Sequence, residues 1–272
     1  MGYSSSQKSA IANFINLTGA KEQIAGRFLK ANAWKLDQAA DDYYQNGQSS
    51  SLQPTINAVN KIFDQYRDDA QNNPDEIGIN GAMKYLNDIQ VKLDEVACLA
   101  VAELLQSPSM GEFTREKFVE GWKTLNCDTL QKQASFANTL RHRLTTDSQL
   151  FRQVYRYTFL LCRMPGQRNV NLDIATEQWR LFFSTERGGV SWETKNVPWL
   201  EWWIEFAETK HTRPINKDLW EQLEVLMRKT LEDETMSWWS SDAAWPGAID
   251  EFIGFVKEKQ AGDGKGDAME VE

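Results

Sequence analysis

The chain has 272 residues, 41% apolar and 25% charged, a globular composition that excludes a fibre or a wholly disordered chain. Its 30 Lys and Arg stand against 39 Asp and Glu, a formal net charge of −9. A general phosphate-backbone binder carries a basic face, so nucleic acid is not an expected partner.

The predicted elements are almost all helical. Ile11, Phe14 and Ile15 make one apolar stripe, Ile24, Phe28 and Leu29 a second, and Leu36, Ala39, Ala40, Tyr43 and Tyr44 a third. Thr18-Gly19 ends the first helix, Ala33-Trp34-Lys35 lies at the second joint, and Asn46-Gly47 stops the third. This predicts a three-helix module over 7–46, too small for an enzyme. Residues 47–54, small and polar and closed by Pro54, read as a flexible linker.

A larger unit over 55–258 opens with the stripe Ile56, Val59, Ile62, Phe63 and Tyr66. Further helices are predicted near 82–89, 93–105, 114–125, 130–144, 149–162, 172–183, 197–210, 217–230 and 245–258. Only Glu76-Ile77-Gly78-Ile79 and Met110-Gly111-Glu112-Phe113 alternate as strands do, and they are expected to pair. The Gly- and charge-rich end, 259–272, is expected to be a disordered tail. The fold class is therefore all-α, with at most two very short strands.

Several chemistries find little support. The segment from Asp68 to Ile79 suggests an EF-hand loop. With Ile79 at the eighth position, however, Pro74 falls at the third, Ile77 at the turn glycine and Met83 at the final carboxylate. The three cysteines, Cys98, Cys127 and Cys162, have no paired spacing. With His142 and His211 they form no zinc pattern, so no metal and no cofactor is expected. There is no GxSxG and no Gly-rich phosphate loop. Eight of the eleven tryptophans crowd from Trp192 to Trp245 among carboxylates and leave an all-α glycan-processing enzyme as an alternative. Most of them lie on helical faces with other apolar residues, as Trp199, Trp202 and Trp203 do with Phe206, and core packing is the expectation. Met1-Gly2-Tyr3-Ser4-Ser5-Ser6 fits the degenerate myristoylation pattern without a basic second anchor, so no membrane contact is expected. Cysteine usage fits a reducing compartment, cytoplasm or nucleus.

The run Asp242-Ala243-Ala244-Trp245-Pro246-Gly247-Ala248-Ile249-Asp250-Glu251-Phe252 is distinctive. It resembles the signature that closes the potentiating-neddylation (PONY) domain of the defective-in-cullin-neddylation family. Ile77-Gly78-Ile79, Leu125-Asn126-Cys127-Asp128, Pro165-Gly166-Gln167 and Asp218-Leu219-Trp220 agree in order. Asn32 to Ala39 and Tyr43 to Asn46 resemble that family's ubiquitin-associated (UBA) module. The resemblance covers about residues 7 to 258.

It implies a non-catalytic, scaffold-type component of the Nedd8 ligase, in the ubiquitin-like protein conjugation pathway. Such a scaffold binds a cullin's C-terminal winged-helix region and the N-terminally acetylated Nedd8-conjugating enzyme together, beside the RING protein. The implied cullin-binding residues are Asp218, Ala244 and Asp250. Asp218 has the alternative of an N-cap or helix-dipole partner, and Asp250 lies at i+6 from Ala244, close to two turns if the helix is continuous. The implied acetyl-methionine pocket comprises Ile79, Ala82, Cys98, Leu99, Val101, Ala102, Leu105, Phe113, Leu161, Gln178 and Leu181. The alternative for each is core packing. Ubiquitin or Nedd8 contact by the small module is implied for Thr18, Gly19 and Ala20 with Tyr43 and Tyr44, although of the usual loop only the Gly remains. A ubiquitin-binding adaptor without a neddylation role stays open, as does a calcium sensor.

Overall fold

The computed structural model describes residues 3–44, 48–240 and 242–266. Among them are thirteen α-helices and two two-residue strands, and the chain divides into two compact units, Met1–Lys61 and Ile62–Glu272.

The first unit contains the three-helix module. Helix α1 (Ser5–Thr18) begins with a capping box, in which Ser4 Oγ accepts from the Gln7 amide and Gln7 Oε1 accepts from the Ser4 amide. It ends at Gly19, whose φ of 69° is the left-handed conformation that glycine adopts freely. Helices α2 (Glu22–Ala31) and α3 (Leu36–Asp42) follow, and all three bury their stripes around Phe14, Phe28, Leu29 and Ala39. Tyr43 is part of that core, edge-on to Phe14 at 5.6 Å and to Phe28 at 5.5 Å.

The linker expectation is corrected by helix α4 (Gln48–Tyr66), which runs through residues 48–54 with Pro54 inside it. Once Ile56 to Tyr66 nucleate a helix, each added residue gains a hydrogen bond, so polar serines do not stop it. Pro54 removes one bond without ending the helix. The stop at Asn46-Gly47 lies outside the described residues.

In the second unit, β1 (Glu76–Ile77) and β2 (Phe113–Thr114) pair antiparallel, Glu76 with Thr114 and Ile77 with Phe113. Each strand leads into a helix, α5 (Ile79–Asp88) or α7 (Arg115–Thr124). The entry to α5 is tight. Asp68 accepts from the Gly81 amide with both oxygens, at 3.0 and 3.1 Å, and a Cβ at 81 would lie 1.8 Å from the Tyr66 carbonyl oxygen.

Helix α6 (Val96–Leu104) is buried from Val96 to Glu103 and packs on α8 (Leu130–Thr146) and α9 (Ser148–Cys162). Helices α10 (Leu172–Phe182), α11 (Trp199–Phe206), α12 (Lys217–Glu232) and α13 (Gly247–Gly266) close the unit. Trp179, Trp192, Trp199, Trp203 and Trp220 are fully buried, and Trp220 stacks on Tyr155 at 4.7 Å. These are core side chains and offer no sugar platform.

The tail expectation is also corrected, since α13 continues through 259–266. Lys259 binds Glu205 of α11 and lies over the Phe255 ring, which holds the helix past the point where composition turns polar. Residues 267–272 lie outside the described residues.

Candidate partner-docking sites

An apolar cavity of about 320 Å³ opens where α5, α6 and the turn before β2 meet. Of the residues implied for an acetyl-methionine pocket, Ile79, Ala82, Cys98, Ala102 and Phe113 line it. Met83, Leu86, Leu93, Met110 and Gly111 line it too, and the sequence reading missed them. Ile79, Met83, Leu93 and Met110 form an exposed apolar rim, and the other side chains form a buried floor.

Helix geometry explains the selection. Cys98 and Ala102 are an i, i+4 pair on one face of α6, whereas Leu99, Val101 and Leu105 point elsewhere into the core. Leu161 on α9 and Leu181 on α10 are likewise buried away from this cavity, and these five take the core-packing alternative here. Gln178 also lies outside the lining, half-buried, with its Oε1 enclosed and without a hydrogen-bond partner. Ile79, Ala82, Met83 and Leu86 follow the i, i+3, i+4, i+7 rule along α5. That signal pointed to Met83 and Leu86. Leu93, Met110 and Gly111 come from loops, where no periodicity marks them.

Burial, with a smaller contribution from Glu95, pushes the Cys98 thiol up to about 11. Burial alone pushes Cys162 up to about 12. At neutral pH both are protonated, so Cys98 presents an apolar surface to the cavity and is a poor nucleophile. A lining of this kind accepts an uncharged apolar chain end and rejects an ammonium, whose desolvation would go uncompensated.

The acidic residues lie on α12, on α13 and in the connection between them. The N-cap of α12 is Asn216, whose Oδ1 accepts from the Leu219 amide at 2.8 Å. Asp218 is therefore relieved of capping and stands exposed in the first turn, where the dipole still favours its charge. Ala244 is exposed in the connection before Gly247, where α13 starts, so no continuous helix joins it to Asp250. Pro246 explains the break, because the residue before a proline is driven out of helical conformation. Asp250 is half-buried in the first turn of α13, and its Oδ1 accepts from Trp239 Nε1 at 3.1 Å.

Asp233 organises the start of that connection. It accepts from the hydroxyls and amides of Ser237 and Thr235, and these bonds, those of the hydroxyls foremost, pull its carboxyl down to about 2.

In the small module the two segments implied for ubiquitin contact meet. Tyr44 Oη donates to the Leu17 carbonyl oxygen at 2.7 Å, and Thr18 Oγ1 accepts from the Ala20 amide at 3.3 Å. Ala20 and Tyr43 are buried, so the surface there consists of Leu17, Gly19 and Tyr44 with part of Thr18. In the calcium-like loop Asp68 is engaged by the Gly81 amide and Asp69 by the amide and side chain of Asn72. Among the described residues, no cluster of three His, Cys, Asp or Glu is placed to hold a metal ion.

The family model described as cullin binding matches residues 112–255, and the one described as UBA-like domain matches residues 8–50. The chain is 32% identical to "Defective in cullin neddylation protein 1" of Pyricularia oryzae, over 98% of this chain and 98% of that one. The chain belongs to the defective-in-cullin-neddylation family. It is also similar to proteins of the same name from Yarrowia lipolytica, at 31% identity over 91% of this chain and 96% of that one, and Saccharomyces cerevisiae, at 27% over 94% and 96%. Asp218, Ala244 and Asp250 all fall inside the match to this family's cullin-binding model. Much of the cavity, from Ile79 to Ala102, precedes that match.

Proposed function

We propose that the chain promotes cullin neddylation as a non-catalytic scaffold. It holds a cullin's C-terminal winged-helix region and the N-terminally acetylated Nedd8-conjugating enzyme together, with the cullin ligase's RING protein alongside. The observation that carries this is the open apolar cavity of about 320 Å³ in a chain whose family match is to cullin binding.

Acetylation removes the terminal ammonium of the conjugating enzyme, and an amide with an apolar side chain enters such a cavity at far lower desolvation cost. Asp218 and Asp250 face a basic cullin surface, which raises association rate and fixes register more than it adds affinity. Holding both proteins on one body converts an encounter into an effectively intramolecular reaction, so the rate rises without a catalytic group on the scaffold. The Leu17, Gly19 and Tyr44 surface supports a secondary contact with ubiquitin or Nedd8.

The test is a reconstituted modification assay with cullin, RING protein and Nedd8-charged conjugating enzyme, run with and without this chain. Acceleration that depends on acetylation of the enzyme's N-terminus is expected. Equal rates with and without the chain would sink the proposal.

A further inference from the structure

Trp239 lies outside the buried tryptophan core. It follows the turn after α12, half-buried, and its amide donates to the Met236 carbonyl oxygen at 3.0 Å. Met236 has φ 58°, and the turn is tied down by Asp233 through Thr235 and Ser237. The indole is thus held by its backbone before any partner arrives.

Its two functional contacts are with α13. The Nε1–H donates to Asp250 Oδ1, and Lys257 Nζ sits 4.3 Å from the centroid of the ring, the shortest such approach among the described residues. Lys257 is at i+7 from Asp250, two turns along the same face of α13. Seven residues rise about 10.5 Å, within the combined reach of extended lysine and aspartate side chains, yet among the described residues Lys257 and Asp250 form no ion pair. The indole takes the ammonium on its face and the carboxylate on its edge, which suits both ends of its quadrupole.

Two consequences follow for Asp250. One oxygen is anchored, so the carboxylate loses little rotamer freedom on binding, and among the described residues the other oxygen accepts no side-chain hydrogen bond. The protein's own lysine is also kept from neutralising it.

We propose that Trp239 is a positioning residue of the cullin-docking face: it orients Asp250 by its N–H and holds Lys257 away from that carboxylate. This rests on the reading of Asp250 as a cullin contact.

The test uses the full chain and a cullin C-terminal domain as probe. Trp239→Phe, which removes the N–H and keeps a ring, should weaken binding by about tenfold, the low end of what one hydrogen bond to a charged group is worth. In an Asp250→Asn background the same change should have no further effect, because Trp239 acts through Asp250. Trp239→Leu, which frees Lys257, should bind more weakly still, and Lys257→Ala in that background should recover part of the loss. A merely structural role would not produce that rescue. Independently of cullin, the indole N–H resonance of Trp239 should shift in Asp250→Asn. If Asp250→Asn weakens binding and folded Trp239→Phe does not, the positioning role is wrong and the docking reading survives. If Asp250→Asn binds as wild type, both fall. An indole resonance unmoved by Asp250→Asn also overturns the proposal, and if Trp239→Leu fails to fold, Trp239→Phe and the resonance decide.

Discussion

Glu224 on α12 is fully buried and takes the Arg152 guanidinium of α9 at 2.9 Å. Arg228, one turn further along α12, binds the same carboxylate. Both arginines are partly exposed, so the acid is the desolvated partner and the cations keep access to water. Removing the cations should therefore be worse than removing the acid. The double change Arg152→Ala and Arg228→Ala leaves a buried carboxylate uncompensated and should cost about 3 kcal/mol or more. Glu224→Met replaces the charge with an apolar chain of similar volume and should leave stability nearly unchanged. Chemical denaturation of the three proteins decides it, and a larger loss in Glu224→Met would contradict this account.

Charge reversal at the docking acids gives the second prediction. Asp218→Lys should weaken cullin binding by about 2 kcal/mol, a hot-spot effect, while lowering the melting temperature only slightly through the lost dipole interaction. Asp218 is the cleaner site because Asn216 already caps the helix. Asp250→Lys should weaken binding by at least as much, but it also breaks the Trp239 bond and should lower stability slightly. Wild-type affinity should fall as salt is raised. Titration calorimetry of the folded variants reads both, and an unchanged affinity for Asp218→Lys would remove it from the docking face.

Filling the cavity is the third. Ala82→Leu adds apolar atoms to a wall with about 320 Å³ of open space in front of it. Stability should hold or rise, while an N-acetylated peptide from the conjugating enzyme's N-terminus should lose at least about tenfold in affinity, as steric exclusion from a single pocket implies. The unacetylated peptide should bind poorly to either protein. Retained binding by a folded Ala82→Leu protein would place the peptide elsewhere.

Two carboxyl groups give opposite pH signs. Asp233 is held down to about 2 by its hydroxyl and amide donors, so its contribution is present above the ordinary Asp range and is lost as pH falls from about 4 toward about 2. Protection of the Thr235 and Ser237 amides against exchange should fall across that window, and Asp233→Asn should lower it at neutral pH and remove its dependence on pH. Glu103 behaves conversely. Burial raises its carboxyl and the bond from Gln153 opposes this only in part, so stability should decline as pH climbs past the usual Glu range. Glu103→Gln should flatten that decline. A melting temperature that rises with pH in this range and is indifferent to Glu103→Gln would refute the assignment.

Much of this architecture was legible in the chain because apolar spacing at i, i+3, i+4 records which face of a helix is buried. The stripes of α1 to α3 follow from it, and alternation over 76–79 and 110–113 marks the two segments that pair as β1 and β2. The errors came where composition stood in for context. Polar serines before Pro54 suggest a linker only if nothing downstream propagates a helix through them, and the glycines after Lys259 suggest disorder only if Lys259 has nothing to hold. The cavity was half legible. Composition alone does not separate Cys98 and Ala102 from Leu99 and Val101, which are buried on the two flanks of that face of α6. The rim residues Leu93 and Met110 arrive from loops, which carry no period, so their place is hidden in the sequence. So is the role of Trp239, since a tryptophan in sequence does not reveal which acid its N–H will meet.

Position 81 leaves the chain no choice of residue. With the Tyr66 carbonyl oxygen where a Cβ would go and both Asp68 oxygens fixed on the amide, any side chain there must push α5 away from the end of α4. A library randomised at that codon and selected only for folding, with no cullin or conjugating enzyme in the assay, should return glycine alone. Invariance there would report architecture and say nothing of partners.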